Sequence, residues 1–138
     1  MTPHCKTCRK IRVKISRERK GHVVRRHYKS RSADKVSLFD REHRPEFFFE
    51  KVVKELRTGF KLKGKMDGDC LTFILEFDFE VGTCRDRYQT RFVKVVCTTK
   101  KCPNADCGRF LPEEIKTMYP IEGSHCLLND QKAILHGQ

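Results

Sequence analysis

Residues 60–80 read FKLKGKMDGDCLTFILEFDFE, and their pattern decides the fold class. From Phe60 to Met66 apolar and cationic residues alternate, the period of a half-buried strand. Asp67-Gly68 is a strong two-residue hairpin signal. Closing the turn there pairs Met66 with Asp69, Leu62 with Phe73 and Phe60 with Leu75, which keeps apolar pairs on one face. The return strand, Leu71 to Glu80, carries that face through Phe77 and Phe79. Its other face bears Thr72, Ile74, Glu76, Asp78 and Glu80. A third strand is expected over Tyr88–Thr98, where Arg91 and Lys94 answer the acidic row.

Upstream, Pro45 to Arg57 reads as a helix. Pro45 suits the first turn, Glu46 the positive end of the dipole, and Gly59 follows the last residue. Phe48, Phe49, Val52, Val53 and Leu56 form its apolar stripe. Phe47 falls off that stripe and is expected against a neighbouring loop or a protein partner. An antiparallel β-meander of about three strands packed by a Phe-rich helix is an α+β arrangement. Downstream, a cysteine-rich turn spans Cys97–Cys107, a short helix is expected over Pro112–Met118, and a helical turn near Gln131–Leu135.

Charge divides the chain. Residues 1–35 hold 13 Lys and Arg against Glu18 and Asp34, a net +11 of the chain's +12. The division expected is therefore a basic module over 1–35 and an α+β body over 36–138. Within the module, Lys10–Ile15 alternates like a strand, while Ser16–Ser32 has little to bury and reads as an arm that orders on binding. Such asymmetry points to a polyanion, above all nucleic acid. No apolar run approaches the ~20 residues that span a bilayer, and residues 1–5 lack a signal-type stretch. A cytoplasmic or nuclear setting follows as the expectation, and there eight cysteines read as metal ligands or buried thiols.

Cys5 and Cys8, with His22 and His27, give C-x2-C-x13-H-x4-H, a spacing that suits one tetrahedral Zn²⁺. Over Cys5–His27 this resembles the zinc finger family, although Arg and Lys fill the interval where that family keeps aromatic and leucine core positions. A second cluster is Cys97, Cys102 and Cys107, with Cys102-Pro103 and Cys107-Gly108 punctuating a turn. Its further ligand is Cys126, His125, Cys84 or the amino-terminal pair, which would make one Cys₄ site of Cys5, Cys8, Cys102 and Cys107. One or two Zn²⁺ are expected. Cys70 and Cys84 read as ordinary thiols.

For nucleic acid, the phosphate-binding set is Lys6, Arg9, Lys10, Arg12, Lys14, Arg17, Arg19, Lys20, Arg25, Arg26, Lys29 and Arg31. His27 and Tyr28 are the expected base-stacking rings. RNA or single strands with weak sequence preference fit this set, acting by sequestration or regulation. The alternative is a structural or protein-interaction module, such as an RNP component, whose arm serves docking or nuclear import. No phosphate-binding glycine loop, nucleophile elbow or HExxH occurs, so the expected function is non-enzymatic.

Overall fold

The structure, a computed structural model, describes residues 8, 12–28, 38–58, 64–83, 89–121 and 134–135. In chain order its elements are α1 (Arg17–His27), β1 (Leu38–Phe39), α2 (Pro45–Thr58), β2 (Lys65–Asp67), β3 (Cys70–Phe77) and β4 (Gly82–Thr83). After these come β5 (Gln89–Thr90), β6 (Phe92–Lys101), β7 (Phe110–Ile121) and β8 (Ile134–Leu135). The fold is α+β. The main sheet runs β2-β3-β6-β7 with antiparallel neighbours, and a smaller sheet runs β1-β4-β5.

The alternation in β3 does what its sequence requires. Leu71, Phe73, Leu75 and Phe77 are buried, while the residues between them are half-buried. β6 lies along one edge of β3. The other edge is shared, with β2 on Cys70–Thr72 and β8 on Glu76–Phe77, β8 running parallel to β3. Ile134 and Leu135 are thus in a strand, not the helical turn expected near Gln131–Leu135; residues 131–133 lie outside the described residues.

The hairpin turn sits one residue later than its sequence suggests. Asp67 pairs with Cys70 and Met66 with Leu71, so Gly68 and Asp69 form the turn. Gly68 takes φ +61°. Hairpin turns of the primed types need positive φ at the first central position, and glycine reaches it without a Cβ penalty. The shift preserves parity, so the apolar face survives it. Phe60 and Leu62 lie outside the described residues. Arg91 does answer the acidic row, with its guanidinium 3.4 Å from Glu76 Oε2.

β7 corrects the helix expected over Pro112–Met118. Its buried residues Leu111, Ile115 and Met118 recur at helical spacing. Ile115 and Met118 enter the main core three residues apart because the β6–β7 register shifts between Val96 and Cys97, and beyond a second shift, between Cys97 and Thr99, Leu111 packs in a separate cluster. Each bulge adds a residue to β7 and breaks its period of two. Pro112 and Pro120 fit because β7 is the last strand of the sheet path, where a missing N–H is tolerated.

Residues 16–28 are also not an arm. Ser16, extended at φ −74° and ψ 161°, caps α1 by accepting from Arg19 N at 3.2 Å. The segment before it is extended, with Lys14 bridging Glu114 in parallel; Lys14 N donates to Glu113 O and Ile115 N to Lys14 O. Arg57 of α2 holds the Val13 carbonyl at 3.0 Å. Val13, Val23 and Tyr28 enter the same core as Phe39, Phe48, Phe49, Val52, Phe73 and Phe77. The described part of residues 1–35 is therefore packed into the body instead of standing apart from it. Phe48 is its aromatic hub, with ring centroids 4.8 Å from Phe39 and 5.7 Å from Phe77.

Candidate metal centre and basic face

Between β6 and β7 the chain turns through Cys102–Arg109. Cys102 N donates to Arg109 O at 2.7 Å, which closes the base of the turn. Inside it, Asn104 O accepts from Cys107 N at 3.0 Å and Gly108 N at 3.4 Å, and Asn104 Oδ1 accepts from Asp106 N at 3.0 Å. Gly108, at φ +64°, returns the chain to β7. These bonds aim Cys102 and Cys107 toward one point.

Cys8 meets them there. Its Sγ lies 3.5 Å from Cys102 Sγ and 3.4 Å from Cys107 Sγ, and all three sulfurs lie within 4.8 Å of one another. Those separations exceed the ~2.05 Å of an S–S bond. They are close to the ~3.8 Å expected between thiolates bound at ~2.3 Å to a tetrahedral metal. Cys8 and Cys102 are buried, Cys107 partly so, and with Leu111 they form a small apolar cluster apart from the main core. Three cysteines so placed can hold a metal ion.

The other expected ligands divide. Cys97 is not in the group: it is wholly buried in the main core on the face shared with Leu71, and burial, with Cys70 adding to it, pushes its thiol up to about 12. A thiol that resists ionisation is a poor metal ligand. His22 and His27 are not in it either. They stand on α1, their ring centroids 6.4 Å apart, and His27 stacks on Tyr119 at 5.2 Å. Among the described candidates, Cys8, Cys102 and Cys107 come together, and His22 and His27 do not join them. Cys5, Cys84, His125 and Cys126 lie outside the described residues.

Among the expected phosphate contacts, Arg12, Lys14, Arg17, Arg25 and Arg26 are exposed. Arg19 is turned toward Glu114 at 3.7 Å and Lys20 toward Glu46 at 3.2 Å, so both also brace α1. Lys6, Arg9, Lys10, Lys29 and Arg31 lie outside the described residues. His27 and Tyr28, expected to stack on bases, are instead interior rings, 6% and 7% exposed. Tyr28 stacks on Phe39 at 5.5 Å and donates its hydroxyl to His43 O at 3.1 Å. Burial, with the charge of Asp40, raises its pKa.

Phe47 covers a loop, stacking on His43 at 4.4 Å and standing 6.0 Å from Phe79. The exposed large apolar side chains among the described residues are Met66 and Phe110. No described helix is long and apolar enough to cross a membrane. Comparisons with protein-family models, with curated proteins and with solved structures find no match.

Proposed function

We propose that this chain is a zinc-containing nucleic-acid-binding protein, without catalytic activity, that works by sequestering or regulating its partner. The observation behind it is the meeting of Cys8, from the segment that carries net +11, with Cys102 and Cys107 of the β6–β7 turn. A site there clips the polycationic segment to the sheet. The donor set supports zinc, since buried thiolates at tetrahedral spacing suit a soft, redox-silent ion. Cys5, paired with Cys8 by the two-residue spacing of structural zinc sites, is the fourth ligand in this reading. Bound zinc supplies a cross-link and no reaction. The arginines and lysines neutralise phosphates, and their contribution scales with counterion release. This reading belongs to a reducing compartment, cytoplasm or nucleus, where thiols stay available to metal.

Native mass spectrometry of protein purified without chelator tests the metal. One Zn²⁺ per chain is expected, lost in Cys8→Ser and Cys102→Ser but retained in Cys97→Ala. A metal-free protein would sink the zinc assignment. Nucleic-acid titration at rising salt tests the partner, with steeply falling affinity expected. If instead Phe110→Ser abolished the protein's principal complex and charge changes did not, the protein-interaction reading would replace it; Phe110, 54% exposed beside the metal turn, favours that reading.

A further inference from the structure

The chemistry of α1 says which form of nucleic acid suits it. Single strands are held by rings on which successive bases stack. In α1 two such rings, His27 and Tyr28 just beyond it, face the interior. The helix's other ring, His22, is half-buried and edge-on to His27. What the outer face presents is cations on a rigid frame. Val23 and His27 are buried, while Arg17, Arg25 and Arg26 are exposed, Arg17 and Arg26 on opposite flanks and Arg25 between them, with Glu18 the acid among them. Between Arg17 and Arg25 lies Gly21, where a Cβ would stand 3.2 Å from Arg25 Nη1, so its absence lets the guanidinium lie close to the helix. Arg12 and Lys14 flank buried Val13 on the extended segment leading into the helix.

From Arg17 to Arg25 the helix advances ~12 Å. The major groove of B-form DNA, ~12 Å wide, admits an α-helix, so cations spaced along such a helix can reach the phosphates that border the groove. The A-form major groove is too narrow for side chains to enter, so a duplex RNA would be met across its wide minor groove. We infer that the outer face of α1, with Arg12 and Lys14, binds the phosphate backbone of a double helix and not unpaired bases. This inference rests on the nucleic-acid reading above. The shared chemistry is two rows of phosphates held at a fixed separation by base pairing, a target for which a preordered helix loses little entropy.

The test is fluorescence anisotropy of the full zinc-loaded chain with labelled duplex DNA, duplex RNA and the corresponding single strands, over a salt series. A duplex is expected to bind more tightly than its separate strands. Five phosphate contacts give log affinity against log salt a slope of about −4 to −5. Replacing Arg17, Arg25 and Arg26 by Gln should flatten the slope by about 3 and weaken duplex binding roughly a hundredfold at about 0.1 M salt. All three are exposed, and an unchanged circular-dichroism melt would confirm an intact fold. The preferred duplex, DNA or RNA, identifies the groove geometry. Tighter binding to single strands overturns the inference and leaves the nucleic-acid reading standing. So does duplex binding indifferent to the triple variant. No binding to any of the four probes at low salt overturns both.

Discussion

Cys97 and Cys102 are near neighbours in the chain and have opposite chemistry. Cys97 points into the core, where burial keeps its thiol neutral, whereas Cys102 leaves β6 at the turn and joins two other sulfurs. If the proposed metal site is filled, thiol labelling should spare Cys97 in the native protein while Cys70, partly exposed, reacts; a chelator should add Cys8, Cys102 and Cys107. Labelling of Cys97 at the rate of Cys70 would contradict its placement. The same burial has a pH signature. Cys97's folded pKa, about 12, lies above its ordinary 9.0. The unfolded thiol ionises first, so the contribution is complete below about pH 9 and is lost as pH rises toward 12, by at most ~1.4 kcal/mol per pH unit. Tyr28 shifts in the same direction. Urea midpoints should fall above about pH 9, less steeply in Cys97→Ala; an unchanged slope in that variant would assign the loss elsewhere.

Elements differ in how much of themselves is local. α2 follows its apolar stripe and its terminal signals, and β3 its alternation, because each buries one face regardless of what covers it. α1 depends on a cap and a neighbour. Its Ser16 hydroxyl satisfies an amide that would otherwise be orphaned, so Ser16→Ala should cost about 1 kcal/mol in chemical denaturation. A loss near zero would mean that packing of Val23 and His27 holds the helix unaided. In the small sheet, Gly82 of β4 lies so close to β1 that a Cβ would collide with the Leu38 carbonyl oxygen. Gly82→Ala should destabilise by about 1–3 kcal/mol, the range for overpacking, and do so through β1. Full stability in that variant would show that β1 can shift without cost.

At the scale of the molecule, the core and the sulfur cluster join distant segments in different ways. The core gathers Val13 and Val23 with residues of α2, β3 and β6. The sulfur cluster adds a second tie between Cys8 and the β6–β7 turn. If the cluster holds the zinc proposed for it, its removal should be visible, because structural zinc contributes apparent binding energies on the order of 10 kcal/mol. Hydrogen exchange after chelation is expected to quicken over residues 12–28 and 102–109 while β3 and β6 keep their protection. Uniform loss of protection would show instead that the metal nucleates the whole fold. Equal exchange with and without chelator would remove the tie altogether.

From the sequence alone came several properties that depend on a residue's immediate neighbours: the alternation of β3, the stripe and first turn of α2, the presence of a hairpin around Asp67-Gly68, the concentration of positive charge in residues 1–35, and the metal-like punctuation at Cys102-Pro103 and Cys107-Gly108. The tertiary structure alone decided which cysteines meet, that Leu111, Ile115 and Met118 lie on a bulged strand, and that His27 and Tyr28 face inward. The physical reason is the same in each case. Spacing along the chain records which side of an element is apolar, but a bulge is set by the opposing strand, a ligand set by segments that converge from far apart, and a ring's burial by the surface that happens to cover it.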